Sequence, residues 1–308
     1  RYDRELLKTA YWQSETIMYF KRSKRWFPLI EKILKEQGLP EDLKYVAVIE
    51  SGLTNVVSPV GATGFWQLMP NTAKEYDMEI REEVDDRYDV EKSTYAACKY
   101  FKAAYKRFKN WTSVAASYNM GMGGLNSRMR EQQVKNYYDL LLNTETSRYV
   151  FRILAYKAIF SNPRYYGYDP DDIDAYPPYN TYDVKIDSSI VNLMDYAKEK
   201  GSNYKILKTL NPWLRENRLT VKGGKTYTFK FPKSGIYQYA ELISSPQDSL
   251  GNVVGDVLSL SADAVYRRYR GETHLTIYEL EKLCKHFNIS LDSLFEINKN
   301  KVIFEFQP

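Results

Sequence analysis

Between residues 162 and 178 the chain loses the helical periodicity that runs through everything before it. Asn162-Pro163, Gly167, Asp169-Pro170 and Pro177-Pro178 punctuate a tyrosine-rich stretch in which no apolar spacing repeats. Proline removes a backbone donor and glycine loosens the backbone, so a regular element does not cross such a stretch. The break divides the 308 residues into a large N-terminal part and further, smaller domains, with length enough for each to bury a core.

Before the break the spacing predicts helices. Ile30-Ile33-Leu34 closes one, Gly38 stops it, and Pro40-Glu41-Asp42 starts the next. Thr112 is the expected N-cap of an alanine-rich helix over Ser113 to Met120 that Gly121 and Gly123 terminate, and Tyr137 to Phe160 reads as one long amphipathic helix. After the break the pattern changes. Tyr182-Val184-Ile186 alternates like a strand, Ile190-Leu193-Met194-Ala197 and Tyr204-Leu207-Leu210 have helical spacing, Asn211-Pro212 stops the second helix, and Tyr227-Phe229-Phe231 alternates again. From 240 the pattern is helical once more. Leu250 to Leu258 carries Gly255 where close packing wants a small residue, Ser259-Leu260-Ser261 makes a turn, and Ser261 caps a helix from Ala262 to Arg270 that Gly271 ends. The expected organisation is mainly α: a helical domain over 1–165, a linker over 166–178, a small α+β domain over 179–233 and a small helical domain over 240–308.

Charge and cysteine usage narrow the chemistry. A net charge of +5 favours an acidic polymer without naming one. The run Lys21-Arg22-Ser23-Lys24-Arg25 reads as a solvated helix face. The 28 Tyr and 5 Trp suit carbohydrate faces and interfaces, although most such rings pack in cores. Cys98 and Cys284 stand far apart with neither a disulfide framework nor a metal-ligand spacing, and both histidines lie near the C-terminus. A zinc or histidine-based centre is not expected in the rest of the chain, nor is any other metal or cofactor. No stretch is long and apolar enough to span a membrane as a helix. A chain opening on Arg1 reads as a processed or trimmed product.

One charge is out of place. Glu50 sits in the apolar run Tyr45-Val46-Ala47-Val48-Ile49-Glu50-Ser51-Gly52-Leu53, on the helical face shared by Leu43, Val46 and Ala47. Desolvation there disfavours the carboxylate and raises its pKa, which is what a general acid needs near neutral pH. A buried ion pair explains the same pattern equally well. Three further segments hold chemistry. Gly61-Ala62-Thr63-Gly64-Phe65-Trp66-Gln67-Leu68-Met69-Pro70 is a glycine-bearing loop, able to bring backbone amides and Gln67 to a ligand, or simply a tight turn before a helix. Ala116-Ser117-Tyr118-Asn119-Met120-Gly121 puts a phenol and an amide at a helix end, where Asn also serves as a terminator. Glu145-Thr146-Ser147-Arg148-Tyr149-Val150 places a tyrosine early in a helix, beside what reads equally as a surface salt bridge.

Taken in order, Ile49-Glu50-Ser51-Gly52, Gly64-Phe65-Trp66-Gln67-Leu68-Met69-Pro70, Ser117-Tyr118-Asn119-Met120-Gly121 and Glu145-Thr146-Ser147-Arg148-Tyr149-Val150 resemble the lytic transglycosylase family, over about residues 5 to 160 and including Asp85-Asp86-Arg87-Tyr88-Asp89. The resemblance implies a goose-lysozyme-like helical domain that cleaves the peptidoglycan glycan strand between N-acetylmuramic acid and N-acetylglucosamine, in the bacterial cell envelope or periplasm. Membrane association through a removed lipid anchor is compatible with it. Glu50 matches the catalytic acid. Ser51 follows it in the usual place, and Gln67, Met69, Tyr118, Asn119 and Tyr149 match groove positions that hold the sugars or steady the reacting centre. Met120 departs from the family's usual alanine, which widens or roughens that wall. Ordinary glycosidases use two carboxylates; no second one is evident by spacing, and Glu145, a groove residue in this reading, is the one available to a hydrolase. Three rivals stand beside a transglycosylase: a hydrolytic muramidase, a non-catalytic glycan-binding protein and a DNA-binding regulator.

Residues 179–232 resemble the LysM-like glycan-binding repeats, through strand order and Leu207-Lys208-Thr209-Leu210-Asn211-Pro212-Trp213-Leu214, although a non-binding spacer has the same pattern. Leu258 to Gly271 and Leu280 to Leu294 resemble the helix-turn-helix domain of repressor-type regulators, with Arg267, Arg268 and Arg270 on or after its recognition helix. DNA would be a partner only if that segment is functional. Acidic residues outnumber basic ones from 240 onward, unlike a DNA-binding face.

Overall fold

The computed structural model describes residues 1–171, 173, 175–233, 250–261, 264–265 and 276–287. The chain forms two compact units, Arg1–Pro178 and Tyr179–Pro308. Among the described residues helices dominate, with one small two-stranded sheet, the mainly α class expected of the sequence.

The first unit is built from α1 (Tyr2–Tyr11), α2 (Gln13–Glu36), α3 (Lys44–Ser51), α4 (Pro70–Glu75), α5 (Val90–Phe108), α6 (Trp111–Met120), α7 (Met122–Glu131) and α8 (Thr144–Ser161). α2 ends before Gly38, whose φ of +65° turns the chain, and a 3₁₀ turn at Glu41–Leu43 leads into α3. α3 is the pivot. Tyr45, Val46, Ala47, Val48 and Ile49 are all buried, and a helix apolar all round belongs in the middle of a core. Around it pack Ile30, Ile33 and Leu34 of α2, Phe101 of α5, Val114 and Ala116 of α6, and Tyr149 and Val150 of α8.

Several local expectations are corrected. α6 begins at Trp111, because Asn110 rather than Thr112 is its cap: Asn110 Oδ1 accepts the Ser113 amide at 3.0 Å. Gly121 ends α6 (φ +82°), but Gly123 lies inside α7, where neighbouring Gly124 leaves room for the Met120 side chain. Tyr137 to Phe160 is not one helix. Tyr137–Asp139 is a 3₁₀ turn, and α8 starts afresh at Thr144, where Asn143 Oδ1 takes the Thr146 amide at 2.8 Å. The basic run is no plain solvated face either. Lys21 and Arg25 lie 5.0 and 5.1 Å from the Tyr176 ring centre, the Lys21 carbonyl accepts the Tyr176 amide at 3.0 Å, and Arg25 Nε donates to the Pro177 carbonyl at 2.9 Å.

In the second unit β1 (Thr181–Ile186) and β2 (Tyr227–Pro232) pair antiparallel, with Tyr182 opposite Phe231 and Val184 opposite Phe229. α9 (Leu193–Glu199) and α10 (Tyr204–Leu210) lie between them in sequence. Asn211, fully buried, fixes β2 against the end of α10: its amide donates to the Leu207 and Lys230 carbonyls at 2.9 and 2.8 Å and accepts the Lys230 amide at 2.7 Å. Further on, α11 (Leu250–Leu258) packs with α12 (Ile277–Phe287). A Cβ on Gly255 would lie 2.7 Å from the Leu260 carbonyl oxygen, which accounts for the small residue, and Ser261 Oγ accepts the Ala264 amide at 3.3 Å as a cap should. Arg267, Arg268 and Arg270, the residues read as a recognition helix, lie outside the described residues.

Candidate active site

Glu50 is the penultimate residue of α3. The helix stops there because Gly52 turns left-handed (φ +59°), and only glycine fits: a Cβ would lie 2.5 Å from Tyr19 Cε1. Two guanidinium groups take carbonyls of this last turn that have no partner within the helix. Arg152 Nη2 donates to the Ile49 carbonyl at 3.1 Å and Arg22 Nη1 to that of Gly52 at 3.0 Å. The Glu50 carboxyl turns inward, where the buried Tyr149 hydroxyl donates to its Oε1. A hydroxyl, not a base, is therefore its hydrogen-bond partner, which answers the ion-pair alternative. Burial pushes the Glu50 pKa up to about 7; the Tyr149 hydrogen bond and the Arg152 charge oppose that rise, and the negative charge of Glu145 adds to it. Tyr118 and Tyr149 are both held well above the ordinary phenol range, chiefly by burial and then by the Glu50 charge.

The loop from Gly61 to Met69 forms the adjoining wall, and Arg87 grips it from behind. The Arg87 guanidinium binds both oxygens of Asp85 and donates to the Gly61 and Leu68 carbonyls at 2.9 and 3.2 Å. Backbone approaches backbone so closely here that a Cβ on Gly64 (φ +82°) would lie 2.1 Å from the Arg87 carbonyl oxygen. Gly64→Ala is expected to destabilise the protein by about 3 kcal/mol in chemical denaturation, from strain plus steric overlap. Gly61→Ala, with φ +86° but open space around it, should cost only about 1 kcal/mol. Equal losses would mean that the Arg87 contact is not what demands glycine.

Side chains read from sequence as ligand-facing are partly spent on this loop. Ser51 Oγ meets the Ala47 and Phe65 carbonyls at 3.1 and 2.8 Å, tying α3 to the wall. Gln67, at φ +46°, donates its amide to the Val56 and Gly64 carbonyls at 3.0 and 2.9 Å, leaving Oε1 as the atom it offers to a ligand. Trp66 is fully buried and donates to Thr94 Oγ1 at 2.9 Å, while its carbonyl accepts the Tyr118 hydroxyl at 2.7 Å. Met69 is exposed, just ahead of α4.

A second set of contacts joins α6 to α8. Asn119 Oδ1 accepts from Thr146 Oγ1 at 2.7 Å, and its Nδ2 faces Glu145 Oε1 at 3.4 Å. Glu145 is exposed in the first turn of α8, where a negative charge suits a helix N-terminus. The structure thus joins Glu50 to Tyr149 directly and sets Tyr118 within reach of its charge. Ser51 and Gln67 act as braces, and Asn119 and Glu145 face each other. Of the arginines that brace the site, Arg22 reads in sequence as part of a solvated face, Arg87 enters only within the Asp85–Asp89 stretch of the resemblance, and Arg152 is not singled out. The one available signal was spacing, since Arg152 lies three residues after Tyr149 and shares its helical face.

Residues 27–141 match the family described as Transglycosylase SLT domain, and residues 182–235 the Soluble lytic transglycosylase C-terminal LysM-like domain. The chain is 26% identical over 274 residues to membrane-bound lytic murein transglycosylase D of Escherichia coli (strain K12), covering 86% of this chain and 58% of that protein. It is 33% identical over 110 residues to a putative tributyltin chloride resistance protein of Alteromonas sp. (strain M-1), covering 35% of this chain and 53% of that protein. The chain therefore spans little more than half the length of these relatives. Among solved structures, the 70 kDa soluble lytic transglycosylase SLT70 from Escherichia coli superposes with a TM-score of 0.38 at 24% identity, covering 48% of this chain and 25% of that one.

Proposed function

We propose that this chain, which carries an SLT transglycosylase domain followed by a LysM-like domain, cleaves the peptidoglycan glycan strand between N-acetylmuramic acid and N-acetylglucosamine and leaves 1,6-anhydro ends. The observation that carries the reading is Glu50: a carboxyl whose hydrogen-bond partner is a tyrosine hydroxyl and whose pKa burial raises to about 7. In the first step Glu50 gives its proton to the bridging oxygen as the C1–O bond breaks. In the second, the 6-hydroxyl of the same muramic acid residue closes on C1 and returns its proton to Glu50. No water is consumed, and one group serves as acid and then base. Gln67, Met69, Tyr118 and Asn119 border the space in which the sugars lie, Ser51 steadies the wall, and Tyr149 orients the carboxyl.

A hydrolytic muramidase is the second reading, since Glu145 lies near enough for its charge to raise the Glu50 pKa. Mass spectrometry of products released from purified sacculi in ¹⁸O-water separates the two. The expected products lack the mass of one water and contain no ¹⁸O at C1; products bearing ¹⁸O there would establish hydrolysis, and no release at all a binding protein. The LysM-like unit is proposed to hold the chain on glycan, and the cell envelope is the corresponding location. Among the described residues no helix is long and apolar enough to cross a membrane.

A further inference from the structure

The site has a charge that the reaction just described does not use. The Arg152 guanidinium is bonded to the carbonyl of the residue immediately before Glu50, not to the carboxylate itself. Apart from Arg152 and the hydrogen bond from the Tyr149 hydroxyl, the surroundings of Glu50 disfavour a negative charge. It sits at the C-terminal end of α3, the negative end of the helix dipole. From α8, Glu145 faces it with a like charge, and Tyr149 offers a neutral donor. Tyr118 on α6 is neutral, and on α2 Glu15 is already bonded to the Tyr19 hydroxyl at 2.5 Å. Arg22 on α2 reaches the carbonyl of Gly52, two residues beyond Glu50.

We propose that Arg152 is the positioning residue for Glu50: it fixes the last turn of α3 and supplies the cation against which the carboxylate holds its charge between the two proton transfers. Glu50 must become an anion halfway through the cycle, in a partly buried site where water stabilises it less than in the open. A fixed cation on the protein side stabilises that anion without touching the sugar, and without neutralising the proton donor by direct pairing. Arg22 and Arg152 do the same structural work on the same helix end, so comparing them separates structure from charge.

The inference rests on the proposed reaction, in which the free enzyme acts with Glu50 protonated and activity falls as pH rises through its pKa. Removing the cation makes the anion costlier, so that limb moves up. In Arg152→Gln, which keeps a donor but not the charge, the limb of kcat/KM against pH should move up by about one unit, and kcat at its plateau should fall about tenfold. Arg152→Lys should leave the limb near its original position, Arg22→Met should lower stability without moving it, and Glu145→Gln should move it down. Titration of the Glu50 carboxyl carbon by ¹³C NMR in the full chain reads the same shift without any turnover. An unmoved NMR titration in Arg152→Gln, or an equal shift in Arg152→Lys, overturns the proposal. An NMR shift with no matching movement of the activity limb would leave Arg152 acting on Glu50 but remove the Glu50 proton from the reaction, which is failure of the functional reading instead.

Discussion

Glu50→Gln is expected to lower the release of soluble fragments from sacculi about a thousandfold or more, the scale of losing a general acid that also serves as base. The amide keeps the shape and the contact with Tyr149 but has no proton to give. The same variant should be the more stable protein at alkaline pH. In the folded chain burial holds the Glu50 proton to about pH 7, against an ordinary value of 4.5. The folded state therefore binds more protons than the unfolded state between those values, and wild-type stability falls as pH rises through that window. Glutamine does not titrate. The variant's advantage over wild type should grow by about 2 kcal/mol between pH 4 and pH 8, measured by urea denaturation at both. An inactive variant without that pH-dependent gain would mean that Glu50 acts but is not held protonated by burial. Retention of most activity would remove it from the reaction altogether.

The burial of Glu50 was legible because its neighbours Tyr45 to Ile49 leave no polar face on which a carboxylate could escape. Its partner was not. Tyr149 lies 99 residues away, and helical phase gives a side chain's direction without saying which helix stands opposite. Local competition explains the errors in the elements. Asn110 and Thr112 both cap helices, and the stronger capper, two residues earlier, prevailed. Apolar spacing carried across the junction at 140–143, so Tyr137 and Val150 looked like one helix, although Asn136 and Asn143 each cap a separate element. Gln67 reads as a free amide until its positive φ aims it back at its own loop. The roles of Arg87 and Arg152 were not legible because only the fold shows which carbonyls need a donor.

Arg148→Met is expected to cost about 3 kcal/mol of stability at pH 8, the scale of breaking one side of a buried ion pair. Arg148, next to Tyr149 on α8, bonds both carboxylate oxygens of Glu5 on α1, the Nη2 contact being 2.9 Å. Glu5 is only 2% exposed, so it relies on that guanidinium where an exposed partner would not. Removing the arginine strands a carboxylate in the α1–α8 contact, and a stranded carboxylate takes up a proton rather than keep its charge. The loss should therefore shrink when denaturation is repeated at pH 5. Glu5→Leu combined with Arg148→Met should recover most of it, because an apolar pair of similar volume needs no compensation. A double variant as unstable as the single one would instead assign the loss to the packing of the arginine stem. Since Arg148 adjoins the tyrosine that holds Glu50, the single variant should also lower kcat, and the double variant should restore it along with stability.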